Sequence, residues 1–458
     1  MFGRAGVGVR DMGRKPQLIR DIGLKAPAGE PIRWMRAVAQ ASNYRILICL
    51  LSQPAWLRVL RGFMGAARRW MPVLRTGPVS LTLSHAHTVA LLEQADDFHV
   101  TAGLSDRLPA GSFLMDIDWA GQHAAEKAAV EVGLGAECGD EVKALRAFAQ
   151  DQCNKFIDDA KGGPLNVARD FSEKLILDVV HEYFGIGDDE EDTRFDLRRI
   201  FRLLASQIFQ SAPVGSPLAL ATLKAQDDLL RITLNTENPG PDTVLGRLQA
   251  EVARLRHEAK AQGRVVEWAT DDWAARNVAA LAAFGSGTVA RAATQIVYRL
   301  LTLNGADRAA TEAVEAHDSG DKGRVLQVAM KVLRFNPMLP LMGVRQSTRR
   351  SELYAMCPHR RVRVDPGQTF IPSPFAAMHD RRVFPCPGRF RTEQRNLADY
   401  LHFGHGRHIC VGKHVAEALL EEIVIALFRR KKLKPIKCRQ KIEYDGPAVE
   451  RYEVTFDA

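Results

Sequence analysis

One of the seven cysteines sits where its chemistry could change: Phe403-Gly-His-Gly-Arg-His-Ile-Cys410-Val-Gly412. It follows a glycine-rich turn and opens the helix that the apolar spacing of Val411–Phe428 predicts. Gly406 and Gly412 permit backbone conformations and close approaches that a β-carbon would block. Amide groups around such a turn can point at the sulfur and hold it as a thiolate, below the ordinary thiol pKa of about 8.5. An isolated cysteine before a helix is usually a small buried side chain; the whole ten-residue pattern sets Cys410 apart. The other cysteines, at 49, 138, 153, 357, 386 and 438, form no CxxC pair and no Cys/His cluster at zinc spacing. Seven in 458 residues do not make a disulfide scaffold.

The loop resembles the haem-binding loop of the cytochrome P450 family, with Phe403, Gly406, Cys410 and Gly412 at its four marked positions. The resemblance extends over roughly residues 80–455, and it implies a P450-like single large domain. It implies haem b (iron protoporphyrin IX) with Cys410 as the proximal iron ligand, an electron-rich thiolate being what haem iron needs for O–O bond cleavage. By the same resemblance Phe403 packs near the thiolate and His408 partners a haem propionate. Ala377–Phe390 resembles the family's meander, matched at Asp380, Phe384, Pro385, Pro387, Arg389 and Phe390. Leu333–Pro337 resembles the end of its K helix. Arg345, eleven residues after Arg334, is expected to partner a propionate through paired, charge-assisted bonds. Asp118–Lys127 resembles the C-helix entrance, where His123 and Lys127 stand one turn apart and could both reach a propionate.

Two departures bear on mechanism. The family's K helix carries Glu-x-x-Arg, yet here the positions are Lys331 and Arg334, with Arg389 in the meander. Three cations cannot form that ion-paired brace. Leu281–Ala292 resembles the oxygen-binding I helix, with Gly285 and Thr288 in place, but the acid position is Gly287. Without a carboxylate, protons must come through water, Ser286 or a substrate group. The alternative role for Gly285 and Gly287 is close packing over the porphyrin plane, which needs small residues.

The elements that must position these residues are mostly helical. Apolar residues recur at three- and four-residue spacing in Asp170–Tyr183 and Asp271–Leu301. Breaks are expected at Pro213–Pro217, Asn238–Pro241 and Asp188–Asp192. Short strands are expected in Arg361–Ile371 and Tyr452–Phe456. The reading is a mainly α fold with small β-sheets: a basic Arg/Trp-rich arm over 1–75 and one catalytic domain over 76–458.

Charge narrows the function further. The chain is 26% charged and 46% hydrophobic with a net charge of +9, but residues 1–75 alone hold 14 Lys+Arg against 3 Asp+Glu. The remainder is near neutral, which argues against a nucleic-acid binder. Trp34, Trp56 and Trp70, interleaved with arginines over 31–75, suit a peripheral contact with an anionic membrane surface; the alternative is a helix packed on the body. Ile46–Leu51 is far too short to span a bilayer, and no secretory signal is visible, so a cytoplasmic setting is expected. Three functions follow: a monooxygenase fed by a ferredoxin-type donor and acting on a hydrophobic small molecule or lipid; a hydroperoxide isomerase or peroxygenase acting on fatty-acid-like hydroperoxides; or a silent haem-binding auxiliary protein. Gly287 favours the second over the first. A basic cluster near Cys410 (Arg381, Arg382, Arg407, Lys413 and 429–432) suits an acidic donor, its alternative being a solvated surface. Phe98–Phe113 and Phe201–Leu220 are expected to form an apolar substrate pocket.

Overall fold

In the computed structural model the described residues are 54–457, apart from 77–78, 101–113, 115–116, 136–138, 189, 211–216, 356–359, 392–396, 438–439 and 446–447. Trp34 and most of the basic arm therefore lie outside the described residues. So do most of Phe98–Phe113 and the Pro213–Pro217 break.

In chain order the elements are α1 (Pro54–Trp70), β1 (Val73–Thr76), β2 (Val79–Thr82), α2 (His85–Glu93), β3 (Phe98–His99), α3 (Ala120–Gly133), α4 (Asp140–Ala160) and β4 (Leu165–Asn166). A π-helical turn, Val167–Glu173, leads into α5 (Lys174–Glu182). Then come α6 (Glu191–Gln210), α7 (Pro217–Leu234), α8 (Val244–Ala261), α9 (Asp271–Thr302), α10 (Ala306–Asp318) and α11 (Arg324–Leu333). Strands β5 (Arg345–Ser347), β6 (Ser351–Ala355), β7 (Arg360–Val364) and β8 (Thr369–Pro372) precede the short α12 (Pro374–Ala377). The chain closes with α13 (Lys413–Phe428), β9 (Lys434–Pro435), β10 (Glu443–Asp445), β11 (Ala448–Arg451) and β12 (Glu453–Thr455).

Helix α9 runs unbroken for 32 residues, about 48 Å at 1.5 Å per residue. Thr270 caps it by accepting from Trp273 N–H, Asp271 and Asp272 oppose its dipole at the start, and Arg299 does so at the end. Its buried alanines let α5, α6, α8, α11 and α13 pack around it. Helix α13 buries the eleven consecutive positions from Ala418 to Phe428, and Val415 before them, and rests on α4, α9 and α11. One large apolar core joins these helices.

The main sheet has the order β1-β2-β8-β5-β3. Only β2 and β8 run parallel, pairing Val79 with Thr369 through Thr82 with Pro372. The stretch 54–76 does not stand apart from the body: Leu57 and Met64 of α1 pack with Leu83 and Phe375, and β1 is an edge strand of the sheet. Phe98, expected to line a pocket, is instead fully buried against Phe370, ring centroids 5.3 Å apart. Among the described residues no helix is long and apolar enough to cross a membrane.

Candidate active site

Two left-handed glycines shape the cysteine loop, Gly404 (φ +78°) and Gly406 (φ +71°). A β-carbon on Gly406 would also come within 2.6 Å of the Leu92 carbonyl oxygen at the end of α2, so that position admits only glycine. Gly412, the second glycine of the pattern, has an ordinary φ of −84° and no protein atom within 4 Å of where its β-carbon would lie, so there the backbone and the protein's own packing do not demand glycine. Gly404 was the one missed, and its signal was the same glycine-rich spacing. A 3-10 turn over Gly406–His408 brings Cys410 N–H to the Phe403 carbonyl at 2.8 Å. Phe403 itself packs on the main core.

Cys410 lies deep in the protein, yet its side chain is accessible and carries no disulfide. Burial pushes its thiol up, and the foremost opposing influence is the Gly412 N–H aimed at the sulfur, with Lys127 and Lys413 adding to it. The amide is placed to favour a thiolate, but burial outweighs it and the thiol is raised, opposite to the lowering the spacing predicts.

A group of nitrogen donors converges beside the loop. His123 on α3 is buried, and its ring meets that of His408 edge-on, centroids 4.7 Å apart. Burial first, then His408 and Lys127, hold His123 down to about 4, so it is neutral at pH 7. His408 Nε2 is 3.6 Å from Asp118 Oδ1, too far to bond, and is buried without a hydrogen-bond partner. Arg345 on β5 is buried and donates to the Gly343 and Val344 carbonyls, both at 3.2 Å; burial lowers its pKa and Asp118 opposes that. Lys127 reaches Glu131, 3.7 Å away. Arg407, read as part of a donor-facing surface, turns inward to the Asp118 carbonyl (3.0 Å) and pairs with Asp96 (2.5 Å). Asp118, which also accepts from Val100 N–H at 2.9 Å, organises this network and was not recognised as doing so from the sequence.

These residues fit a planar, dianionic cofactor held by a thiolate. The orphaned His408 nitrogen and the Arg345 guanidinium offer donors to acidic groups. Gly285 on α9, with no atom within 4 Å of its missing β-carbon, leaves room for a flat group. Among the described residues there is no cluster of His, Cys, Asp and Glu suited to a separate metal ion.

On α9 the Thr288 hydroxyl donates to the Phe284 carbonyl at 2.6 Å and, more weakly, to that of Gly285 at 3.3 Å. Ser286 and Gly287 point elsewhere. They line a cavity of about 50 Å³ with Glu173, Arg198, Arg202 and Ala205, and the Ser286 hydroxyl donates to the Ala283 carbonyl. A β-carbon on Gly287 would lie 2.8 Å from that of Ala205 on α6. At Gly287, then, two helices approach closely enough to need a small residue. Ser286, on the same side, is not positioned to replace the acid for Thr288.

The missing Glu-x-x-Arg brace is rebuilt from carbonyls. Arg334 donates to Met378 O (3.0 Å) and Pro387 O (2.9 Å), and its guanidinium lies over the Phe335 and Phe384 rings. Arg68, from α1, donates to Leu83 O, Ala376 O and His379 O at 2.6–2.8 Å. Arg389 is exposed and takes no part in this arrangement.

The cytochrome P450 family model matches residues 326–450, which include the K-helix end, the meander and the cysteine loop. Two curated relatives are each 32% identical over short segments. One is a bifunctional dioxygenase–epoxy alcohol synthase from Fusarium oxysporum, matched over 77 residues, 17% of this chain and 6% of that protein. The other is luteothin monooxygenase from Streptomyces thioluteus, matched over 104 residues, 23% of this chain and 24% of that protein. The matched segments thus span a small part of either relative. Among solved structures, the versatile cytochrome P450 enzyme CYP109B1 from Bacillus subtilis superposes with a TM-score of 0.66 at 16% identity, covering 86% of this chain and 98% of that one. The cytochrome P450 family model thus matches this chain through the K-helix end, the meander and the cysteine loop, and the chain has the cytochrome P450 fold over most of its length.

Proposed function

We propose that the protein is a haem-thiolate monooxygenase, with Cys410 as the proximal ligand of haem b, inserting one oxygen atom from dioxygen into a hydrophobic small molecule. The observation that carries this reading is the accessible Cys410 sulfur beneath the Gly412 N–H, beside the unsatisfied His408 nitrogen and buried Arg345. When bound, the haem supplies oxygen activation and electron transfer. The chain holds and orients it. Gly412 N–H favours the thiolate, Phe403 packs beside it, and Gly406 sets the loop's path against α2. His408, His123, Lys127 and Arg345 would hold the propionates. Thr288 is the hydroxyl that holds a proton on the α9 side, near Gly285. With Gly287 and Ser286 turned toward α6, the proton reaches Thr288 through water or a polar group of the substrate.

A hydroperoxide isomerase or peroxygenase is the second reading, because it needs no relay of protons from an acid at position 287. The contact of Gly287 with Ala205 and the name of the fungal relative both favour it. An acidic electron donor gains little support from the surface: Lys413, Arg430 and Lys432 pair with Glu417, Asp158 and Asp457 at 3.8, 3.2 and 3.0 Å, and Arg429 pairs with Asp318.

The cofactor is tested by reducing the purified protein under carbon monoxide. A red-shifted Soret band lost in Cys410→Ser supports the ligand assignment; a band unchanged by that substitution would overturn it. The reaction is tested by supplying either a lipid hydroperoxide alone or candidate substrates with reductant and dioxygen. Turnover of the hydroperoxide alone, with no oxygen uptake, would replace the monooxygenase by the isomerase.

A further inference from the structure

Arg58 and Arg61 of α1 and Arg299 in the last turn of α9 line a cleft of about 230 Å³, closed by Thr302, Phe335 and Gly388. Near the cysteine loop Arg407, Lys413, Arg429, Arg430 and Lys432 have acidic partners, but among the described residues no carboxylate pairs with any of these three. Arg299 is only 9% exposed; one terminal nitrogen donates to Phe335 O at 3.3 Å, and its Nε is buried without a partner. The Arg61 guanidinium lies along Gly388, 3.4 Å from where a β-carbon there would sit. Burial foremost, and then Arg58, draws the Arg61 pKa down. Arg299 is drawn down chiefly by burial; Tyr298 and Tyr444 oppose this, while Arg58 and Arg61 add to it.

Three guanidiniums around one partly dry space are costly unless an anion joins them. A carboxylate has two oxygens, enough for one planar fork. A phosphate group offers at least three, which forks arriving from separate elements can share. We infer that the cleft between α1, the end of α9 and the meander binds a phosphate group.

The outer face of α1 bears on where that phosphate comes from. Val59, Phe63 and Trp70 are 62%, 61% and 72% exposed and recur at helical spacing, with exposed Arg58 and Arg69 beside them. That face suits the interfacial zone of a bilayer, so a lipid headgroup is one source and free phosphate the other.

The test uses the full chain with bound haem. Calorimetric titration with inorganic phosphate is run beside acetate at equal ionic strength, and sedimentation with phosphatidylcholine vesicles is run with and without phosphatidic acid. Arg61→Gln and Arg299→Gln are expected to weaken phosphate-group binding by about tenfold or more, the size of one lost charge-assisted pair. Arg69→Gln, outside the cleft, should leave inorganic phosphate binding unchanged. Should Arg299→Gln fail to fold, the half-buried Arg61 carries the comparison. Saturable inorganic phosphate binding that survives Phe63→Ser marks the free-phosphate source. Binding only to phosphatidic acid vesicles, lost in both Arg61→Gln and Phe63→Ser, marks the headgroup. Equal response to acetate, no saturable binding to either probe, or binding indifferent to Arg61→Gln would overturn the site.

Discussion

At the scale of single residues, the glycines differ in what forbids a side chain. Gly406 meets both a left-handed backbone and the Leu92 carbonyl oxygen, so Gly406→Ala should cost about 2 kcal/mol or more and unseat the loop. Gly412→Ala meets neither obstacle and should leave apoprotein stability within about 0.5 kcal/mol of the parent, while lowering haem retention if the haem lies against it. Chemical denaturation of the haem-free form and haem titration read the two effects separately. Gly287 is a third case. An aspartate there must displace Ala205, so Gly287→Asp is expected to lose roughly 1–3 kcal/mol without raising oxygen-dependent turnover. Faster turnover at unchanged stability would restore the idea that only the missing acid limits proton delivery. The sequence marked position 287 as unusual but could not say why, because the reason is the approach of α6, more than 80 residues earlier in the chain.

At the scale of elements, the meander and α11 are tied by arginines to backbone oxygens. Removing Arg68 strands three buried carbonyls at once, so Arg68→Ala should cost about 3–5 kcal/mol. Thermal unfolding would register this as a large fall, whereas Arg69→Ala, one residue on and exposed, should be neutral. Two histidines in this region add a pH dependence. His402 Nε2 bonds Met330 O at 3.0 Å, and burial, helped by Arg334, holds its pKa down to about 4; His379 is driven well below 6.5, mainly by burial. Both are neutral in the fold and protonate more readily when unfolded. Stability is therefore full above about pH 6.5 and falls as pH drops from there toward 4, by about 2 kcal/mol from His402 alone after allowing for its partial exposure. Denaturant midpoints measured across that window check the sign; a flat profile would contradict it. Helices α9 and α13 were legible from apolar spacing alone. The Arg68 anchor was not, since its carbonyl partners in α12 and the meander lie some 308 to 311 positions away, and carbonyl oxygens leave no trace in a side-chain pattern.

At the scale of the whole molecule, the basic N-terminal region divides. Its composition reads as one arm over 1–75, but composition is blind to the fact that Leu57, Met64 and Arg68 face inward while Val59, Phe63 and Trp70 face out. The inward set ties α1 to Leu83, Phe375 and the meander carbonyls, and β1 extends the five-stranded sheet by pairing Val73 with Thr82 through Thr76 with Val79. Two truncations separate these roles. A chain beginning at residue 54 keeps every contact described above, so it should retain the reduced carbon monoxide spectrum and melt in one transition close to the full-length protein. A chain beginning at residue 77 loses the Arg68 anchor, the β1 edge and one wall of the arginine cleft together. It should express poorly or melt far lower, because the lost hydrogen bonds leave buried acceptors in α12 and the meander with nothing to replace them. Equal stability of the two truncations would mean that α1 is an appendage after all, and that the meander carries its own support through Arg334.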